Sequence, residues 1–177
     1  MKLIIFSPLL LFYIFLSGCA HQKGTIGRYD HYPSINISTF HNDTFQPGLE
    51  EKLTNQLTEE FLADGRVSVE NANKEINIAG RIKKYTRIIL AVNGKDDVTL
   101  YQLSISVDLH VLDIYSVNTI AHYPNINVTT TYVPQRSNIE FETETDAQVR
   151  LLEDLAEEIV YQLLDKDKKI LTYSNPD

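Results

Sequence analysis

The chain has 177 residues, 43% hydrophobic and 23% charged, with 16 Lys+Arg against 24 Asp+Glu and a formal net charge of −8. That length suits one folded domain with a single core, and the composition excludes wholesale disorder. The acidic balance excludes a surface built to neutralise nucleic-acid phosphates, and a single Cys excludes an intrachain disulfide or a cysteine-ligated structural zinc.

Lys2 precedes an apolar run from Leu3 to Phe15, broken only by Ser7 and Pro8. At about 13 residues it is shorter than the roughly 20 a transmembrane helix needs. A positive start, a short apolar stretch and small residues behind it make a secretory leader. Leu16-Ser17-Gly18-Cys19 resembles the bacterial lipobox. In that class a signal peptidase cuts before the Cys, whose thiol receives a diacylglyceryl group and whose new amine is acylated, with palmitate-type chains. One chain, at about 0.8 kcal/mol per buried CH₂, anchors marginally; two or more anchor durably. Residues 1–18 are therefore expected to be a lipoprotein signal peptide, with Cys19 the lipidated residue. Residues 19–33, polar and carrying Gly24, Gly27 and Pro33, read as a lipidated tether, spanning at most about 45 Å. By the sorting pattern of enteric lipoproteins, Ala20 rather than Asp after the Cys implies the outer membrane, periplasmic side.

Beyond the tether, Ser34 to Phe40 alternates, with Ile35 and Ile37 on one face, and reads as a strand. Pro47 suits the first turn of a helix, and Glu50 and Glu51 its positive end. Leu49, Leu53, Leu57 and Phe61 recur every four residues as one apolar stripe, and Gly65 is the expected left-handed cap. Val67 and Val69 make a short second strand. Ile76, Ile78, Gly80 and Ile82 open a long third, predicted to reach Val92. Asn93-Gly94 is a strong hairpin signal. Tyr101 to Val111 alternates apolar and polar without a break, and Ile126, Val128, Thr130 and Tyr132 repeat the pattern. Thr143 and Asp146 have capping-box spacing before a helical period running from Leu152 to Leu164. The charged tail 166–177 is expected to fray. The order β-α-β-β-β-β-α predicts an α+β two-layer sandwich over 34–165: a four- to five-stranded mixed sheet with two helices packed on one face.

Catalytic chemistry is not signalled, so no enzyme is expected. No two of the five His have i, i+4 or H-E-x-x-H spacing, and no nucleophile elbow, P-loop or dinucleotide fingerprint occurs. No catalytic residue, metal site or cofactor is expected, and His110 falls on the polar side of its strand. Glu59-Glu60 and Glu157-Glu158 read as solvated helix faces.

Two features stand out. Residues 81–95, RIKKYTRIILAVNGK, hold Arg81, Lys83, Lys84, Arg87 and Lys95 with no acid. On an unbroken strand, Arg81, Lys83, Tyr85 and Arg87 share a face opposite Ile78, Gly80 and Ile82, a strip suited to an anionic ligand such as a phosphorylated glycolipid. The other feature is length. A strand from Ile76 to Val92 would run about 55 Å, against about 27 Å for the first helix. The helices cannot cover the whole hairpin unless a bulge near Tyr85 folds it back. Its far part carries Ile88, Ile89, Leu90 and Val92, an apolar candidate for partner or lipid contact.

Several stretches together resemble the lipopolysaccharide-assembly lipoprotein family, LptE: SINISTFHNDTFQPGLEEKLTNQLTEEFLADGRVSV, INIAGRIKKY, NGKDDVTLYQLSISVDLHVLD and DAQVRLLEDLAEEIVYQLL. The resemblance covers residues 34–165. It implies a non-catalytic outer-membrane lipoprotein that plugs the large β-barrel LptD, helps it assemble, and binds lipopolysaccharide on its way to the outer leaflet. Arg81, Lys83, Lys84, Arg87 and Lys95 would then face lipid phosphates or acidic groups of the barrel wall. The rival reading is an outer-membrane-anchored periplasmic scaffold or activator of another envelope machine, a cell-wall synthase or a secretion channel.

Overall fold

The computed structural model describes residues 33–69, 75–95, 97–134, 142–168 and 170–171; the expected signal peptide, Cys19 and the expected tether up to residue 32 lie outside them. Among the described residues the chain forms β1 (Ser34–Ile37), β2 (His41–Asn42), α1 (Leu49–Asp64), β3 (Ser68–Val69), β4 (Ile76–Val92), β5 (Val98–Asp113), β6 (Thr119–Tyr132) and α2 (Glu144–Val160). A π-helical segment, Tyr161–Lys166, continues α2. The sheet runs β3-β1-β4-β5-β6, with β2 also paired to β4. Its β1, β2 and β3 pairings are parallel and its two hairpin pairings antiparallel. This is the expected α+β sandwich with a mixed sheet. The additional strand is β2, whose two residues carry no periodicity; it resumes along β4 the pairing that β1 leaves at Ile78.

The apolar stripe of α1 behaves as its spacing requires: Leu49, Leu53, Leu57 and Phe61 are all fully buried. Gly65 ends the helix at φ 72°, its N–H donating to the Phe61 carbonyl at 3.2 Å. The start differs from expectation. Pro47 lies outside the helix, and Gly48, at φ 80°, is its N-cap. A left-handed cap needs a residue without Cβ, and the loop before it is organised by Asn42. That side chain donates to the Gln46 carbonyl at 2.8 Å and to Glu50 Oε2 at 2.7 Å.

The first turn of α2 is the predicted capping box. Thr143 Oγ1 accepts from the Asp146 N–H at 3.2 Å, and Asp146 Oδ2 accepts from the Thr143 N–H at 3.1 Å. Leu151, Leu155, Ala156 and Ile159 of α2 are fully buried, and so are Leu163 and Leu164 of the π-helical segment. The expected fraying at the tail is corrected at Ile170, which is fully buried and pins the chain past Lys166 to the core. Arg66, just past α1, joins the two helical ends, reaching Asp64 and Asp165 at 2.7 Å each. Its hydrogen bonds hold both carboxyls below their usual range.

Both helices bury against one face of the sheet, made by Ile35, Ile76, Ile78, Ile82, Leu103, Ile105, Val107, Leu109 and Val111. Gly80 lies within this face for a steric reason: a Cβ there would sit 2.2 Å from the Phe40 ring. Among the described residues the opposite face carries no helix and is polar, with Arg81 paired to Asp108 in register, Lys84 to Ser106, and His110 to both Ala79 and His122.

Candidate functional site

The β4–β5 hairpin carries both features singled out in the sequence, and its register separates them. Ile82 pairs with Val107, but the next pair is Lys84 with Ser106, so Lys83 is an extra residue in β4. Such a bulge inverts the facing of every residue beyond it. The expected single strip of Arg81, Lys83, Tyr85 and Arg87 is therefore corrected. Arg81 and Lys84 lie on the uncovered face, Lys83 is in the bulge, and Tyr85 and Arg87, opposite Ile105 and Leu103, turn to the helix side.

The two arginines are committed within the fold. Arg81 Nη1 donates to Asp43 Oδ2 at 3.2 Å. Arg87 pairs with Glu144 at the start of α2 and lies 5.2 Å from the centre of the Tyr101 ring. Tyr101 stacks on Tyr132 with centroids 5.2 Å apart, and the Tyr132 hydroxyl donates to Glu144 at 3.3 Å. The Glu144 carboxylate, through its hydrogen bond, raises the Arg87 pKa further. The Tyr85 hydroxyl is buried without a well-formed hydrogen bond among the described residues. Burial pushes its pKa up, and the nearby Gln148 amide opposes that only in part.

Lys83, Lys84 and Lys95 are exposed. Lys83 and Lys84 line a shallow cleft with Asp43, Thr44, Phe45 and Gln46, and Phe45 is fully exposed beside them. The cleft thus joins two cations to an uncovered aromatic ring, a combination that suits an anionic, partly apolar ligand. Phe45 carries no signal in the sequence, since it stands alone in a polar loop.

The helices stop covering the sheet where Glu144 meets Arg87. Beyond that point Ile88, Ile89, Leu90 and Val92 are 50%, 56%, 46% and 54% exposed. Register shifts fall between Ile89 and Ala91 and between Ala91 and Val92, yet the strand pairing continues outward and the end does not fold back on the core. The turn forms as expected but by a different device. Asn93 N–H donates to the Asp97 carbonyl at 2.9 Å, and the Asn93 side-chain oxygen accepts from the Lys95 and Asp97 N–H groups at 2.8 and 3.1 Å. A five-residue loop organised by an Asn side chain replaces the two-residue turn.

The family model for lipopolysaccharide assembly, LptE, matches residues 32–163. The chain belongs to the LptE family. Membership makes it a component of lipopolysaccharide assembly, and the matched span coincides with the sandwich. Two of the solved structures it is similar to share the fold, those with TM-scores above 0.5. A candidate lipoprotein of Caulobacter crescentus CB15 has a TM-score of 0.52 at 16% identity, over 78% of this chain and 94% of that one. Protein XCC0632 of Xanthomonas campestris has 0.52 at 12% identity, over 80% and 92%. A minor lipoprotein of Acinetobacter baumannii has 0.48 at 23% identity, over 75% and 92%. No curated protein matches the chain. Among the described residues no helix is long and apolar enough to cross a membrane.

Proposed function

We propose that this LptE-family chain is an outer-membrane lipoprotein, anchored through Cys19, that plugs the LptD barrel translocon, helps it assemble, and binds lipopolysaccharide during insertion into the outer leaflet. The family match across the whole sandwich carries this reading. The uncovered hairpin end supports it further, since an apolar patch on an otherwise well-packed domain suits a partner or a lipid. Lys83, Lys84 and Lys95 are the contacts for lipid phosphates, because ammonium groups at an exposed surface can make charge-assisted hydrogen bonds to them. Arg81 and Arg87 have a supporting role here, as both are held by carboxylates of the same fold. Ile88, Ile89, Leu90 and Val92 meet the barrel or acyl chains.

Co-purification of the intact lipidated chain from its native envelope in mild detergent tests the assignment. A large β-barrel protein should co-migrate; a periplasmic enzyme in its place would favour the scaffold reading. Replacing Lys83, Lys84 and Lys95 together by Ser should leave the fold intact and weaken lipopolysaccharide capture at moderate salt. Capture equal to the parent chain would reject the lysine assignment, even with the barrel still bound.

A further inference from the structure

The uncovered sheet face carries a side-chain cluster that the lipopolysaccharide reading does not use. His110 of β5 and His122 of β6 are cross-strand partners. Their rings stack with centroids 4.1 Å apart and planes 12° apart. Asp108 lies two residues before His110 and so on the same face of β5. Asp108 Oδ1 is 2.7 Å from His122 Nε2 and 3.3 Å from His110 Nε2. One potential ligand atom from each of the three residues lies within 4.8 Å of the other two.

Three local features build this convergence. Leu109 and Val111 are fully buried on the opposite face, which fixes the outward direction of Asp108 and His110. The register shift between Val107 and Leu109 puts the extra residue in β6, where Pro124 and Asn125 lie opposite Asp108, and a bulge of this kind re-aims the strand that carries His122. Arg81, the cross-strand partner of Asp108 on β4, has its guanidinium on Asp43. Asp108 Oδ1 is left facing the two histidine rings.

We propose that Asp108, His110 and His122 form a binding site for a divalent transition metal of the zinc class. Two imidazoles and one carboxylate are a donor set for such ions, whereas magnesium and calcium require oxygen. A tetrahedral ion with bonds of about 2.0–2.1 Å needs ligand atoms about 3.3–3.4 Å apart. The His110–Asp108 separation already has that value, the His122–Asp108 contact has to open slightly, and the two imidazole nitrogens, within 4.8 Å of one another, have to converge on the ion by a tilt of the stacked rings. The ion takes the place of the direct contacts between the imidazole nitrogens and the carboxylate. It ties β6, the edge strand, to β5 and keeps an outward position for water or for a donor from whatever covers this face.

The test is calorimetric titration of ZnCl₂ into the metal-stripped full chain in detergent, made without a histidine tag. One ion per chain should bind saturably, and MgCl₂ at the same concentrations should not. His110→Ala and His122→Ala should each weaken zinc binding at least 10-fold, and Asp108→Asn about 10-fold. Replacing His21, His31 and His41 together by Ala should leave it unchanged. Zinc should raise the melting temperature of the parent chain and not that of the His110→Ala/His122→Ala double variant, whose circular dichroism should match the parent. Absence of saturable zinc binding, or binding that survives in that double variant, overturns the site.

Discussion

The near and far halves of the β4–β5 hairpin are built alike and live differently. Both are antiparallel pairs in one continuous ladder. In the near half Ile76, Ile78 and Ile82 are fully buried beneath the helices, while in the far half Ile88, Ile89 and Val92 are at least half exposed. Strand pairing satisfies the backbone in both, so a ladder forms wherever alternation and a turn permit it. Burial depends on a second layer, and that layer ends at Glu144. Apolar residues beyond the end of the cover contribute little to folding and remain available for contact.

Paired truncations test this contrast most strongly. Ile78→Ala should cost about 2–5 kcal/mol in chemical denaturation, whereas Ile89→Ala should cost under about 1 kcal/mol. Equal losses would mean that the far half is packed after all. Gly80→Ala should cost about 1–3 kcal/mol, because the new methyl meets the buried Phe40 ring; a neutral result would show that Phe40 can move aside. Thr143→Ala should cost about 1 kcal/mol and loosen the boundary as well. Hydrogen exchange should then rise at Arg87, which pairs with Glu144 at the start of α2, and at Tyr101, on whose ring Arg87 lies.

A smaller effect lies far from the hairpin. Asp64 and Asp165 titrate lower in the folded chain than unfolded, through Arg66. Their contribution is therefore present above about pH 4 and is lost as pH falls through the lowered folded values. Arg66→Gln should flatten that acid limb in a melting-temperature profile; an unchanged limb would assign the loss to other carboxylates. The smallest change is expected at the boundary itself. Tyr85→Phe should alter stability by less than about 0.5 kcal/mol, in the stabilising direction, because its buried hydroxyl has no well-formed hydrogen bond to lose. A clear loss of stability would reveal a partner for that hydroxyl.

Much of this was legible in advance, for reasons that are local. Leu49, Leu53, Leu57 and Phe61 could bury together only on a helix, and Tyr101 to Val111 only on a strand, since each pattern matches one backbone period. Gly65 and the Thr143–Asp146 box announced helix ends because caps act within one turn. The apolar run before Asn93 and the basic density of residues 81–95 are likewise properties of the string. The facing of those basic residues was not legible. A bulge at Lys83 is hard to read in the alternation, because the two residues between the core-facing Ile82 and Tyr85 are both lysines, and either could be the one that breaks step.

The amino-acid sequence by itself determined the period of each element, the caps that bound it and the charge it carries, since these are settled by neighbours within a few residues. Only the tertiary structure decided which cations stay exposed, that Phe45 borders them, and that Asp108, His110 and His122 meet. Those outcomes depend on register between strands distant in the chain. One inserted residue moves a side chain from one face of the sheet to the other.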